Sequence, residues 1–304
     1  MTEDLLAPLG QRRVIRANGI DIEVYESGAG EKLALLLHGF PEHSVSWRAQ
    51  APMLAGMGYR VWVPNQRGYG GTTTPAERDA YAIDKLTGDI AALIDAFRSK
   101  SATADFAGGA KSVTLIAHDW GALLAWVFAA RKIRPLDKLV ILNVPHPLCF
   151  KREYETNPKQ KKKSWYTRFF QLPLVPEMAL SRKGGAPIAK LFRDTCVNKA
   201  NFPRELLSVY AANAARPGGM RGMINWYRAA MPALFKATDL GAAIEVPTLV
   251  IWGEKDVALE VSTLDGTDQY VRDLKIVRLP NASHWVQQDA PDEVNAAMRA
   301  FLAD

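Results

Sequence analysis

Apolar residues gather along the chain in eight short runs bounded by turn residues. They fall at Arg12–Arg16, Ile22–Tyr25, Leu33–Leu37, Arg60–Val63, Val113–Ala117, Lys138–Leu142, Thr248–Trp252 and Lys275–Leu279, and each reads as a strand. The inner runs are near-continuous rather than alternating, which marks strands buried on both faces of a parallel sheet. Between several of them the apolar spacing changes to that of a helix. Asp84–Phe97 sets Leu86, Ile90, Leu93, Ile94 and Phe97 at helical intervals, Gly121–Arg131 is a short Ala-rich helix, and Asp292–Leu302 closes the chain. This alternation predicts right-handed crossovers and an α/β fold with a mostly parallel, doubly wound sheet.

The alternation stops after Leu142 and resumes at Pro247. From Leu148 to Lys236 there are helix-like pieces broken by prolines such as Pro158, Pro173, Pro187 and Pro203, and no convincing strand. A helical segment placed between two strands of a parallel sheet predicts a lid. The expected organisation is therefore core (1–147), helical lid (148–236), core again (237–304).

Charge marks the same boundary. The whole chain is +6, yet Leu148–Lys236 holds 17 Lys and Arg against 5 Asp and Glu, a net of +12, which leaves −6 elsewhere. The densest run is Lys159 and Lys161 to Lys163. It reads as a solvated face suited to docking on an acidic frame. A nucleic-acid partner is not expected, since no basic helix–turn–helix or RNP-like aromatic pattern accompanies it. With 48% hydrophobic and 23% charged residues, the chain of 304 is neither disordered nor fibrous. Two cysteines, Cys149 and Cys196, exclude a disulfide scaffold and a Cys-based zinc site. No apolar run approaches the roughly 20 residues of a membrane span, and Met1–Gly10 is not a secretory signal. A cytoplasmic protein with no membrane partner is expected.

In open α/β sheets chemistry collects at the carboxyl ends of strands. The strand ending at Ala117 runs straight into a helix through His118, Asp119, Trp120 and Gly121. Small residues at 117 and 121 around a tip residue form the pattern of a nucleophile elbow. The tip is Asp119, a carboxylate at a helix N-terminus, where an anion is favoured and can attack carbon. Its alternative role is to cap the helix. After the third strand come His38-Gly-Phe-Pro-Glu42, a loop type that supplies an oxyanion-hole N–H. The donors would be Phe40 and Trp120. Asp256 follows the strand ending at Trp252, with Glu254 as competitor, and His284 follows the last strand. Nucleophile, acid and base thus occur in the order expected of this hydrolase class. His118 should point away from the nucleophile. His43 and His146 read as structural or surface residues. Glu42 could position a water or simply occupy a surface loop.

Together these residues resemble the α/β-hydrolase superfamily, and within it the epoxide hydrolases. The resemblance rests on His38-Gly-Phe-Pro-Glu, Arg67-Gly-Tyr-Gly, His118-Asp-Trp-Gly and Asn143-Val-Pro-His-Pro, with Ser164-Trp-Tyr and Asn225-Trp-Tyr in the inserted segment. It implies that Tyr166 and Tyr227 face the substrate, and that Asp119 forms an alkyl ester which water activated by His284, oriented by Asp256, then hydrolyses. His38, Phe40 and Trp120 would contact a small-molecule epoxide. No cofactor and no metal are implied, and monomer or homodimer stays open. Two alternatives stand beside this reading. Haloalkane dehalogenases share the Asp elbow and following Trp, with Trp120 as halide ligand and the tyrosines as packing. A non-catalytic binder on the same fold is the other. Pocket shape is expected to depend on Phe40, Trp120, Phe169, Leu172 and Met223.

Overall fold

The computed structural model describes residues 2–100, 112–237 and 239–303. Eight strands form one sheet: β1 Gln11–Ala17, β2 Ile20–Ser27, β3 Lys32–Leu37, β4 Tyr59–Pro64, β5 Val113–His118, β6 Lys138–Leu142, β7 Thr248–Gly253 and β8 Leu274–Leu279. Their order across the sheet is β1-β2-β4-β3-β5-β6-β7-β8. β1 pairs antiparallel with β2, and β2 with β4; the remaining pairs are parallel. Each of the eight apolar runs lies within one of these strands.

Why the inner runs carry no polar positions is plain from the two cores. Successive side chains of a strand point to opposite faces. Leu33, Leu35 and Leu37 of β3 join one buried cluster, together with Leu115 of β5 and Ile141 of β6. Ala34 and Leu36 join a second cluster with Ile116 and Val140. Both faces are covered, so both sets must be apolar.

Among the described residues no strand lies between β6 and β7; helices Pro147–Thr156, Pro158–Lys163, Trp165–Phe169, Val175–Thr195, Arg204–Ala215 and Gly219–Lys236 fill the interval. Two of its prolines begin helices rather than break them: Pro158 and Pro176 stand in first turns. The helix Val175–Thr195 does break, at Arg182–Gly185, whose backbone is non-helical. Gly185 is required there, because a Cβ would stand 2.1 Å from the Ala211 carbonyl oxygen.

The helical segment rests on the sheet through apolar packing and buried hydrogen bonds more than through charge. Phe192, Tyr210, Met223 and Leu234 share one cluster with β3 and β5. Tyr210 Oη donates to Gln288 at 2.7 Å, Trp226 Nε1 to the Arg67 carbonyl at 3.0 Å, and Asn213 to the Glu42 carbonyl at 2.8 Å. Lys163 pairs with Glu260 at 3.1 Å. Lys159, Lys161 and Lys162 remain exposed, so the dense basic run meets the acidic frame through Lys163 alone.

Candidate active site

The turn after β5 holds Asp119 at φ 49°, ψ −123°, a conformation that L-residues with side chains rarely adopt. Its neighbours must be small to permit the turn. A Cβ on Gly121 would stand 2.6 Å from the Leu37 carbonyl oxygen, and one on Gly39 would stand 2.2 Å from the Asp119 Cβ. Asp119 precedes the helix Trp120–Ala130, but its side chain caps nothing there. Instead Oδ1 accepts the Phe40 N–H at 2.5 Å. The capping alternative is thereby set aside. The Trp120 N–H, in the first helical turn, lacks an intrahelical acceptor by position.

His284 sits with Nε2 3.4 Å from Asp119 Oδ2 and Nδ1 2.7 Å from Asp256 Oδ2. Asp256 is itself fixed. Its Oδ1 accepts the N–H groups of Ala258 and Leu259 at 2.7 and 2.9 Å, and Oδ2 accepts Asn143 Nδ2 at 2.9 Å. Glu254 turns outward to Arg278 at 2.6 Å, which leaves Asp256 as the partner of the ring. Burial opposes charge on all three groups, but their mutual attraction outweighs it. Asp119 and Asp256 lie below the usual carboxylate range, and the two carboxylates raise His284 well above its ordinary value.

Tyr166 comes from the helix Trp165–Phe169 and Tyr227 from Gly219–Lys236. Their ring centroids are 6.0 Å apart, nearly perpendicular. Burial first, then the Asp119 charge, pushes both phenols up, which keeps them O–H donors. Asp119, Tyr166 and Tyr227 line two adjoining cavities. One continues past Trp120, Val144, Phe150 and Phe235; the other holds Phe40, Phe169 and His284. Its walls are mostly apolar, as in a small-molecule site.

The sequence profile of the alpha/beta hydrolase fold family matches residues 34–291. The chain is 35% identical to Epoxide hydrolase 3 of Xenopus tropicalis, over 97% of this chain and 78% of that one. It is 31% identical to Epoxide hydrolase A of Mycobacterium tuberculosis, over 95% of this chain and 96% of that one. A crystal structure of Bacillus megaterium epoxide hydrolase with an inhibitor superposes with a TM-score of 0.84 at 32% identity, covering 96% of this chain and all of that one. This chain belongs to the epoxide hydrolases of the alpha/beta hydrolase fold.

Several residues of this epoxide hydrolase stand elsewhere than the sequence suggests. His38 does not face the cavities. It is fully buried, its Nδ1 lies on the Gly39 carbonyl, its Nε2 accepts the Gln66 N–H at 3.1 Å, and burial lowers it to about 4. It is a structural residue of the loop, not a substrate contact. Of the two roles left open for His43 and His146 the structure has the structural one: both are buried, each accepting an N–H at the start of a helix. Leu172 is solvent-exposed and Met223 is core, and neither lines the two cavities.

Glu42 departs furthest from a surface-loop role. It is fully buried beneath the site. Oε2 accepts the Gly39 N–H at 2.9 Å and faces His118 Nδ1 at 2.7 Å. Oε1 accepts Gln287 and Gln288, both at 2.9 Å. Four protein groups engage its two oxygens. Burial would raise this carboxyl, but His118 and the Gly39 N–H hold it below the usual range. His118 turns from the nucleophile as expected, and its Nε2 lies 2.8 Å from the His284 carbonyl. Glu42 thus ties the Phe40 loop to the His284 loop. Asn143 was visible only as part of a motif. At φ 46° it bonds Gly253 through both ends of its amide and orients Asp256. Sequence reasoning gave neither residue this task, because both act through contacts more than 70 residues away in the chain.

Proposed function

We propose that this protein hydrolyses an epoxide to a vicinal diol through a covalent ester on Asp119. The observation that carries the reading is the meeting of an ionised carboxylate from the sheet with two phenols from the helical segment at the junction of the cavities. The domain reading follows from it: a core of 1–147 and 237–304, and a helical cap of 148–236 that supplies the phenols. A cytoplasmic setting fits the two unpaired, buried cysteines.

In the first step an Asp119 oxygen bonds to an epoxide carbon. The ring C–O bond breaks and its electron pair goes to the ring oxygen. Tyr166 and Tyr227 donate hydrogen bonds to that oxygen as it becomes an alkoxide, and one of them transfers its proton. The phenolate left behind recovers the proton that the charged His284 ring gives up. Esterification removes the charge of Asp119, one of the two carboxylates that raise His284. The ring can then give up its proton and serve as base. In the second step His284 takes a proton from water as the water oxygen attacks the ester carbonyl. The Phe40 and Trp120 N–H groups receive the tetrahedral oxyanion. Collapse breaks the bond to the substrate oxygen, which takes the proton from His284 and leaves as the diol; the acid proton that remains on Asp119 then passes to His284, restoring the carboxylate and the charged ring.

The halide alternative has one observation on its side, since Trp120 lines one cavity. Offering the enzyme a styrene-type epoxide and a panel of haloalkanes, with diol and halide assayed together, separates the two. Diol without halide is expected. Halide without diol would move the chemistry to Trp120 and reduce the tyrosines to packing.

A further inference from the structure

We infer that the face formed by residues 165–178 and its basic borders docks on an anionic lipid surface. Nine large apolar side chains are strongly exposed among the described residues, and five lie in this one stretch: Trp165, Leu172, Leu174, Val175 and Met178. Scattered exposed apolar residues are ordinary, but a contiguous group marks an interaction site.

The stretch is built to hold them outward. Leu174 is 70% exposed and sits at φ 62°, a conformation unfavourable for a leucine. Arg228 fixes the turn from beneath: it donates to the Phe170 carbonyl at 2.9 Å and the Leu172 carbonyl at 2.5 Å, and pairs with Glu177 at 2.5 Å. The apolar tips are therefore presented by a braced turn.

Charge selects the occupant. From Lys159 to Lys183 there are seven Lys and Arg and one acid, Glu177, which Arg228 already engages. Lys159, Lys161 and Lys162 precede the apolar stretch, Arg168 lies within it, and Arg182 and Lys183 follow it, all of them exposed. Exposed apolar side chains flanked along the chain by exposed cations match the boundary between acyl chains and anionic headgroups. A second copy of the chain fits poorly, because two-fold pairing of this face sets its lysines against one another. Hydropathy does not reveal such a surface, since lying on a bilayer needs no spanning run. The face also adjoins the active site: Trp165, 64% exposed, lines the cavity that holds His284, as do Phe169 and Leu180. An apolar substrate dissolved in the bilayer would meet the cavity at its rim.

The test is sedimentation of the whole protein with vesicles of phosphatidylcholine alone or of equal parts phosphatidylcholine and phosphatidylglycerol. No substrate is present, so the result is independent of the catalytic reading. Binding is expected to be at least about tenfold tighter to the anionic vesicles and to weaken with salt. Leu174→Asp with Met178→Asp, and separately Lys161→Glu with Lys162→Glu, should each lower it about tenfold while hydrolysis of a water-soluble epoxide stays unchanged. Equal binding to both vesicles, no binding, or variants that bind like the parent would overturn the inference. A parent dimer in solution that both variants convert to monomer, without vesicle binding, would assign the face to a second copy instead.

Discussion

The two halves of the active site are held by different forces. On the sheet side the groups proposed to react, and the Glu42 that braces them, are pinned by hydrogen bonds. Asp119 takes the Phe40 N–H, Asp256 takes two backbone N–H groups and Asn143, and Glu42 takes four donors. On the helical side the phenols are held by rings. Tyr227 packs edge-on against Trp120, Phe40 and Phe170 at 4.9, 5.3 and 4.7 Å, and Tyr166 against Phe170 at 5.8 Å. The difference suits the tasks. Ester hydrolysis needs donors and a base aimed at fixed points. Ring opening needs two O–H groups in an apolar chamber shaped to the substrate. Charge is concentrated on the side that can afford rigidity, and shape on the side that can vary.

The comparison is broken most severely at its shared centre. Asp119→Ala should lower turnover by roughly 10⁴-fold or more, with ligand binding retained, as measured by steady-state kinetics and binding titration. Retained turnover would remove the nucleophile. The helical side comes next. Tyr166→Phe combined with Tyr227→Phe should slow the ring-opening phase by about 10²–10⁴-fold while hydrolysis of a preformed ester is little changed. Stopped-flow kinetics would show an unaltered first phase if the phenols only pack.

The sheet side should respond in stability as well as rate. Glu42→Gln leaves His118 without its carboxylate in a fully buried place and should lower unfolding free energy by about 3–5 kcal/mol in a denaturant titration. A loss near zero would mean that the Glu42 network is not what joins the two loops. A finer effect is electrostatic. His284 is raised in the resting enzyme, so its share of stability is complete below the ring's ordinary pKa and is lost as pH rises through the raised value. Asp119 and Asp256 are depressed, so theirs is present above the ordinary carboxylate pKa and is lost as pH falls. Asp119→Asn should bring the His284 titration down, as followed by NMR. An unmoved titration would remove the proposed release of the base by esterification.

Much of this was readable before the structure. The eight strands follow from apolar runs, because burial on two faces leaves no room for polar positions. Asp119, Asp256 and His284, the groups proposed to react, are legible in the sequence because each lies at or shortly after the carboxyl end of a strand. What escaped depends on long-range contact. Glu42 looks like a loop glutamate until Gln287, Gln288 and His118 close over it. His38 sits in the motif of an oxyanion loop but turns into the core beside Tyr69. Lys159, Lys161 and Lys162 of the basic run are solvated as expected, whereas Leu172 reads in sequence as a residue that shapes the pocket, and only the braced turn at Leu174 shows that it faces outward.

The central claim is a covalent ester on Asp119 that His284 resolves. Mass spectrometry of the His284→Gln variant after exposure to an epoxide tests it most directly. The account predicts a mass increase equal to the epoxide, confined to the peptide that contains Asp119, with little diol formed. An unmodified Asp119 peptide in a variant that still turns the epoxide over to diol would contradict it.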